Sequence, residues 1–472
     1  MGGAEIWRWS AVETAAAVRE GRVSAEEVAA AHVARMRAAN PPLNAIVVDL
    51  GEEALATARA LDRKRAAGGE IGALHGVPVT IKINVDVEGQ ANSNGVPAFA
   101  ANVAPGDSAV AANLKKAGAI VIGLTNTPEF SLRGFTDNPL HGLTRNPWDP
   151  NVTCGGSSGG AGAAVASGIG AIAHGNDIGG SLRWPASCNG IATIRPTQGR
   201  IPAYNPSAPA ERPLMAQLMS TQGPLAREVA DVRLGLEIMA QRDPRDPWWV
   251  PAPLVGPPVA GLVGVAIATV PDDMETDPEV MALLEGAAGH LSDAGYDVRR
   301  VKTPDISAAW SLWAQLIVNE IAVLQADQMR AVASPAFNGI LDEMIAMTNP
   351  LDIAGYMSAL SGRTRVLREW LVFLEECPLI LAPVSVKPTP GPHADIAGPG
   401  AVDRLFRNDL RFTAGLNVLG LPSAVVPVGL ARGNPVGVQI IGSRFREDLC
   451  LDAAAAIEAR VGILTRRLWE RT

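Results

Sequence analysis

The chain has 472 residues, of which 47% are hydrophobic and 19% are charged, and its formal net charge is −8. This composition supplies enough apolar side chains for a large buried core and argues against disorder. Acidic and basic residues form no blocks, so the clustered Lys/Arg face of a nucleic-acid-binding protein is absent. The four cysteines are scattered without a C-x-x-C pair, which argues against a metal knuckle or a disulfide framework.

The N-terminal region is predicted to be helical. Ser10 with Glu13 and Ser24 with Glu27 form two capping boxes, each followed by an Ala/Val-rich helical pattern. The pattern then changes to the two-residue alternation of "GVPVTIK", which predicts a strand. Lys82 ends this strand, on the face opposite its aliphatic side chains.

Two strand–helix–strand units follow, and such units join parallel strands. In the first, Asp107 is predicted to cap a helix through "SAVAANLKK" that ends at Gly118, before the strand "AIVIGLT". In the second, "LVGVAIAT" leads to a helix that begins at Asp277-Pro278 and ends near Gly295, before "YDVRRVK". Two further strands, "AVVPVGL" and "PVGVQII", and a helix over 447–460 complete the pattern.

These elements predict an α/β protein built as a single large α/β/α sandwich domain with a mixed central sheet. The domain spans 1–472, with the helices of 1–60 packed outside as an N-terminal layer. The Pro-rich stretches "DPRDPWWVPAPLVGPP" and "VKPTPGPHADIAGPG" are interpreted as loops within this domain, because strand–helix patterning resumes after each of them. A domain linker is the alternative for either stretch.

The glycine-serine run "CGGSSGGAGAAVASG" permits several interpretations. Gly155, Ser157 and Gly159 match the G-x-S-x-G nucleophile elbow, but the elbow requires a preceding strand, and "NPWDPNVTC" is typical of a loop. A phosphate loop is poorly supported, because no Gly-Lys-Ser/Thr follows. The structural alternative is a turn that leads into a closely packed helix of small residues. The six histidines lack metal-ligand spacing, so no metal or cofactor is predicted.

A second motif, "HGNDIGGSLRWP", places Ser181 directly after two glycines. Backbone N–H groups that lead into such a serine suit a negatively charged oxygen. No histidine partner for Ser181 is apparent, so the group that would take its proton has to be sought elsewhere in the chain.

The stretch "GGSSGGAGAAVASGIGAIAHGNDIGGSLRWP" resembles the signature of the amidase signature family of Ser/Ser/Lys hydrolases. Four further segments resemble that family in chain order: "GVPVTIKINVDVEG", "GLTNTPEFS", "TRNPWDP" and "GLPSAVVPVGL…NPVGVQIIG". Several separated motifs in order make the resemblance specific over most of the chain. It implies the amidase signature fold, with a catalytic core over about 74–200 and a helical substrate-pocket segment over about 300–350.

The resemblance makes Ser181 the acyl-forming nucleophile, Ser157 the bridging serine and Lys82 the base, with the Gly156–Ser157 peptide bond in the cis form. It assigns the oxyanion hole to the backbone N–H groups of Ile178, Gly179, Gly180 and Ser181. Ser158, Asp177 and Arg183 take supporting roles. A lysine is a base only when it is neutral, so its pKa has to fall from about 10.4 to about 7–8 by burial.

Four residues depart from the family pattern. Ile83 replaces the Asp that usually follows the lysine, which favours the neutral amine. Cys154 stands where Pro commonly precedes the double glycine, Asn176 replaces Thr or Ser, and Trp184 replaces a smaller aliphatic residue. The resemblance leaves the consequences of these changes open.

The implied activity is hydrolysis of a carboxamide through a serine acyl-enzyme, on a neutral apolar or aryl acyl amide, with esters and carbamates left open. Expected substrate contacts are Ser131, Trp184, Trp310 and Trp313. For the two later tryptophans a core-facing helix is the alternative. The rival functions are the amidase subunit of a tRNA-dependent amidotransferase and a non-catalytic binding homologue. The middle segment "NTPEFSLRGF" is closer to stand-alone amidases.

The expected partner is a small-molecule amide, with no nucleic acid and no membrane involved. The sequence shows neither a signal-peptide pattern nor an uninterrupted apolar stretch of membrane-spanning length, so a cytoplasmic location is expected. It leaves the oligomeric state open, with a homodimer as one outcome.

Overall fold

The computed structural model describes residues 5–471, so residues 1–4 and 472 of the predicted domain lie outside the described part. Eleven strands form one sheet. In chain order, β1 to β11 are Ile46–Asp49, Pro78–Lys82, Ile120–Thr125, Ile172–Asp177, Ala192–Arg195, Thr221–Ala226, Gly264–Ile267, Asp297–Arg299, Leu379–Pro383, Ser423–Ala431 and Asn434–Gly442. Their order across the sheet is β1-β3-β2-β4-β6-β5-β10-β11-β9-β7-β8.

The sheet is mixed, as predicted. β2 pairs in parallel with β3 and β4, and β7 pairs in parallel with β8 and β9. The strands between these two parallel regions pair antiparallel, including β4 with β6 and β10 with β11. Both predicted strand–helix–strand units are therefore present, one in each parallel region.

Helices cover the sheet on both faces. In chain order, α1 to α17 are Ala11–Arg19, Ala25–Leu43, Gly51–Ala66, Ala109–Lys116, Gly159–Ala166, Arg183–Asn189, Leu214–Met219, Val229–Met239, Pro278–Asp293, Ile306–Leu324, Ala326–Val332, Pro335–Ala346, Ile353–Glu376, Ala401–Arg404, Arg411–Leu419, Glu447–Val461 and Leu464–Trp469. One buried cluster includes side chains of α4, α8, α9 and α16, and another includes those of α10, α13 and α15. Val79 and Ile81 of β2 belong to the first cluster, which leaves Lys82 directed to the opposite face, as predicted.

The observed N-terminal caps of the helices can be compared with the capping residues predicted from the sequence. Both predicted capping boxes are formed, at Ser10 and at Ser24, and Asp277 caps α9 with Pro278 in its first turn. The prediction for α4 is wrong by one residue, because Ser108 is its N-cap and accepts a hydrogen bond from the Ala111 N–H. Asp107 instead pairs with Lys115 at 2.7 Å, since its carboxylate reaches the last turn of the helix.

Helix α10 is long and largely buried. Within residues 5–471, it is the one helix long and apolar enough to cross a membrane, with a mean hydropathy of 1.3, and 61% of that stretch is buried inside the fold. It packs on α13 and α15. The Pro-rich stretches are loops, apart from a short helical turn at Ala394–Ile396.

Candidate active site

Lys82 is the last residue of β2. The loops that follow the parallel strands β2, β3 and β4 meet at this edge of the sheet. Its side chain is fully buried. The Nζ atom lies 2.7 Å from Ser157 Oγ, 3.1 Å from Ser158 Oγ and 2.9 Å from Asn176 Oδ1. The residues that sequence analysis selected at 82 and 157 are therefore in direct contact.

Burial sets the protonation of this lysine. Desolvation lowers the pKa of Lys82 well below its usual value of 10.5, and the charge of Asp177 opposes this only in part. The side chain that follows, Ile83, is itself buried and apolar, so it places no counter-charge beside the amine. Burial of this kind favours the uncharged amine, which is the state that can accept a proton.

The loop before α5 presents the first serine motif. The Gly156–Ser157 peptide bond is cis. A side chain at position 156 would place its Cβ 2.6 Å from the Phe135 N atom and 2.7 Å from the Arg133 O atom, so only glycine fits there. The loop has no preceding strand, in agreement with the rejection of the nucleophile elbow. Burial raises the pKa of the Cys154 thiol to about 12, so this cysteine is an inert packing residue.

The second serine motif follows β4. Ser181 is 9% exposed and lines an apolar pocket. The two serine loops are joined through the backbone, since the Ser158 N–H donates to the Ser181 carbonyl at 3.3 Å. In the described part of the chain, the Ser181 hydroxyl makes no hydrogen bond, so the link between Ser157 and Ser181 is not closed. Catalytic hydrogen bonds often tighten only when substrate binds.

The backbone between β4 and α6 presents N–H groups beside Ser181. The Gly180 N–H donates to Asp177 Oδ1 at 2.9 Å, which differs from the sequence-based expectation that it faces a substrate oxygen. The N–H groups of Ile178, Gly179 and Ser181 have no acceptor among residues 5–471. Three of the four expected donors therefore have no hydrogen-bond acceptor among the described residues.

Asp177 and Arg183 hold this loop in place. Both side chains are fully buried and form a bidentate pair, with Arg183 Nε and Nη2 each 3.0 Å from a carboxylate oxygen of Asp177. Burial alone raises the pKa of Asp177, but the charge and hydrogen bonds of Arg183, together with Arg195 and Asn417, outweigh it and hold that pKa below its usual value. Asn417 of α15 and Gln439 of β11 complete the network. Asp177 also accepts hydrogen bonds from the Gly180 and Leu182 N–H groups, so the pair is attached to the loop that carries Ser181.

An apolar pocket of about 40 Å³ opens beside Ser181. Trp184 and Trp313 line it, together with Phe406, whose ring lies 5.4 Å from that of Trp313. Ser131 also lines the pocket, in a turn where it and Phe130 adopt positive φ values of 58° and 54°. Non-glycine residues in this conformation store strain that is common at binding sites.

Trp310 lies elsewhere, although it shares a helix with Trp313. Its ring packs under the Arg407 guanidinium at 4.3 Å, and it is not among the residues that line either cavity of the site. Because three residues rotate a helix by most of a turn, only part of the apolar stripe on α10 reaches the pocket. The expected substrate contact at Trp310 is therefore not found, and the core-facing alternative describes it.

A larger cavity of about 730 Å³ adjoins the apolar pocket on the Ser157 side. Its wall near the lysine is polar and includes Asn84, Asn94 and Asn176. The sequence analysis missed Asn84 and Asn94 as site residues. The motif "KIN" contained a usable signal for Asn84, since a side chain two positions beyond Lys82 can reach the same sheet edge.

Together with the relatives of this chain, the fold and the lysine–serine arrangement define an α/β enzyme that hydrolyses carbon–nitrogen bonds other than peptide bonds. The family described as Amidase matches residues 27–451, and the chain belongs to that family. The resemblance predicted from the sequence motifs is thereby confirmed, as are the fold class and the amidase activity.

Three comparisons describe the relatives. An indoleacetamide hydrolase of Bradyrhizobium diazoefficiens is 62% identical over 465 residues, which cover 98% of this chain and 89% of the relative. A glutamyl-tRNA(Gln) amidotransferase chain of Moorella thermoacetica is 33% identical, with 98% and 99% covered. The solved structure of a bacterial aryl acylamidase has a TM-score of 0.83 at 27% identity, with 98% and 97% covered. The higher identity to a hydrolase favours the amidase interpretation over the amidotransferase alternative.

Proposed function

We propose that the chain hydrolyses the primary amide of an arylacetic acid, of the indoleacetamide type, and releases ammonia and the carboxylate. The observation that carries this substrate class is the pocket beside Ser181, which Trp184, Trp313 and Phe406 line with aromatic surface. Flat aromatic groups pack favourably against such rings. The name of the 62% identical relative supports the same substrate class.

Acylation begins with the neutral amine of Lys82. As Lys82 takes the proton of Ser157, Ser157 takes that of Ser181, and the Ser181 Oγ electron pair forms a bond to the amide carbon. The carbonyl π pair moves to oxygen, and the resulting oxyanion accepts hydrogen bonds from the N–H groups of Ile178, Gly179 and Ser181. Each such donor contributes about 10²–10³ in rate.

Collapse of the tetrahedral intermediate breaks the C–N bond. The proton on Lys82 returns through Ser157 to the departing nitrogen, which leaves as ammonia through the polar cavity. Water then attacks the acyl ester of Ser181 and gives up a proton to the same relay. The Ser181–acyl bond breaks, Ser181 regains its proton, and the arylacetate is released.

The test combines covalent labelling with kinetics. A fluorophosphonate is expected to label Ser181, and S181A is expected to lose both labelling and turnover of indoleacetamide. S358A, at an exposed serine of α13, is the matched control and retains both. We expect kcat/KM for indoleacetamide to exceed that for acetamide by about 30-fold or more, since burial of an aromatic group contributes about 2 kcal/mol. Full activity of S181A, or equal rates for both amides, would contradict the proposal.

The proposed reaction uses no metal. Among residues 5–471, no three His, Cys, Asp or Glu side chains are grouped so that they could hold a metal ion. Turnover is expected to be unchanged after dialysis against EDTA, and loss of activity that zinc restores would overturn this part of the proposal.

A further inference from the structure

The Lys82 amine has three polar partners, and their number limits how the amine can form hydrogen bonds with them. An ammonium group has three donors, whereas a neutral amine has two donors and one lone pair. Each of the three contacts, to Ser157, Ser158 and Asn176, lies within 3.1 Å of Nζ. In the neutral amine, one of these partners must therefore donate a proton to the nitrogen rather than accept one.

Two of the three partners cannot donate in this arrangement. Asn176 presents its amide oxygen to Lys82, and an amide oxygen only accepts. The Ser158 hydroxyl donates to the backbone carbonyl of Asn176 at 3.3 Å, so its own proton is committed. Ser157 alone is left to donate to the lone pair, which is the direction that the proposed proton relay requires.

Asn84 fixes which end of the Asn176 amide faces the lysine. Asn176 Nδ2 donates to Asn84 Oδ1 at 2.9 Å, so the oxygen of Asn176 points to Lys82. Asn84 Nδ2 in turn donates to Ser131 Oγ at 2.9 Å, and Ser131 donates to Asn94 Oδ1 at 2.7 Å. A flip of Asn176 would break this chain of donors and would turn an NH₂ group towards the amine.

We propose that Asn176 and Asn84 are a positioning pair that orients the Lys82 amine, so that its lone pair faces Ser157. This inference rests on the proposed function of Lys82 as the base. Neither asparagine touches the reacting atoms, and both act through the lysine. The pair provides an uncharged acceptor at a site where the residue after the lysine, Ile83, contributes no polar group.

Few charged groups surround the Lys82 amine, so the effect of a new charge at position 176 on the pKa of Lys82 can be measured. Asp177 of β4 is the charged group that acts on Lys82, and Arg183 binds its carboxylate. Burial lowers the pKa of His174, also on β4, to about 4, and that of His32 on α2 to about 3, so both are neutral. The charged side chains of α2 are at least partly exposed to solvent. The other elements packed on β2, namely β3 and α5, have no ionisable side chain.

The decisive variant is N176D. It keeps an acceptor oxygen in place but adds a negative charge beside the amine, which favours the ammonium form. An opposite charge at this distance raises a pKa by about 1–3 units. We expect the acid limb of the kcat/KM–pH profile to move to higher pH by at least about one unit, so that activity at a given pH on this limb falls about tenfold and recovers at higher pH. N102D is the matched control, because Asn102 lines the same cavity without contacting Lys82.

A second variant tests orientation without charge. N84A removes the acceptor that holds Asn176, and we expect kcat to fall about tenfold at every pH, while KM and the acid limb stay in place. An unmoved acid limb in N176D, or a shift of equal size in N102D, would overturn the inference, as would wild-type kcat in N84A. Thermal denaturation of each variant identifies misfolding. Failure of the underlying function is distinguishable, because S181A would then retain turnover.

Discussion

The Lys82 side chain is fully buried and has three hydrogen-bond partners. The burial that favours its neutral, reactive form also affects the free energy of unfolding. A buried amine is tolerated in its neutral form, because desolvation penalises the charge. The same desolvation makes the free energy of unfolding depend on pH. The neutral lysine is thus available as a base, but its burial lowers the free energy of unfolding at pH values below the pKa of free lysine.

The linkage gives a prediction for K82M. The folded-state pKa is lowered, so between that value and 10.5 the unfolded chain binds a proton that the folded chain does not. The free energy of unfolding of the wild type therefore rises with pH across this window, by up to about 1.4 kcal/mol per unit, relative to the variant. Urea denaturation of both proteins between about pH 8 and 10 measures this difference.

The same variant has a kinetic signature. Without the base, we expect kcat to fall by about 10²–10⁴-fold. Parallel stability curves for wild type and K82M would show that Lys82 titrates normally in the folded protein. Such a result would remove the physical basis of the proposed relay.

At the residue level, the resemblance of the sequence motifs to the amidase signature family selected Lys82, Ser157 and Ser181 as the candidate relay. It did not identify the Asn84–Asn176 pair, because that contact depends on how β2 and β4 lie side by side. The hydrogen bond from the Gly180 N–H to Asp177 could not be predicted either, since it depends on the rotamer of Asp177. Hydrogen-bond direction is a property of three-dimensional arrangement that spacing alone does not encode.

Helix α10 connects the substrate pocket to the backbone beside Ser181. The Trp313 indole N–H donates to the Ile178 carbonyl at 2.9 Å, and its ring leaves no room for a side chain at Gly179, where a Cβ would lie 2.9 Å from the ring. The helix therefore contributes an apolar wall and also a hydrogen bond that holds the segment whose N–H groups we propose as donors to the oxyanion.

We expect W313F to lower kcat about fivefold, because it keeps an aromatic ring but removes the hydrogen bond to Ile178, and one such bond contributes about 1 kcal/mol. W310F is the matched control on the same helix, since the Trp310 indole nitrogen is buried without a hydrogen-bond partner among the described residues. Steady-state kinetics on indoleacetamide measures both. Equal losses in the two variants would indicate general damage to α10 rather than a specific bond.

The elements themselves were largely predictable, because their signals are local. Capping boxes, Asp277-Pro278 and the alternation in "GVPVTIK" each depend on a few neighbouring residues. The prediction at Asp107 was wrong because Asp107 and Ser108 are adjacent and are both good N-cap residues. Asp107 forms an ion pair with Lys115 instead, and Ser108 caps the helix. The face of α10 that meets the pocket depends on packing against α13 and α15, which is not a local property.

On the scale of the whole molecule, two acids, one buried and one partly buried, join distant parts of the chain. Glu458 of α16 accepts a hydrogen bond from the Val229 N–H at the start of α8, and Asp231 accepts from Ala11 and Val12 at the start of α1. Burial raises the pKa of Glu458 to about 7 and that of Asp231 to about 6. These contacts fasten α1 and α16, which lie near the two ends of the chain, to α8.

Raised carboxyl pKa values destabilise the fold as pH increases. Between pH 4.5 and 7, the folded protein holds a proton on Glu458 that the unfolded chain releases, so the free energy of unfolding falls with rising pH. E458Q keeps an acceptor for the Val229 N–H and does not titrate. We expect the melting temperature of the wild type to drop more than that of E458Q between pH 5 and 8. Identical drops would show that Glu458 ionises normally.

The pairing of β5 with β10 has a consequence for biosynthesis. It joins Thr193 to Val425, so the half of the sheet that contains Lys82 keeps an open edge until β10 has left the ribosome. A nascent polypeptide that already contains both serine motifs therefore exposes an unpaired strand in a hydrophobic setting. We expect ribosome-stalled chains lacking residues 423–442 to bind chaperones and to remain inactive, even though they contain every group of the proposed relay.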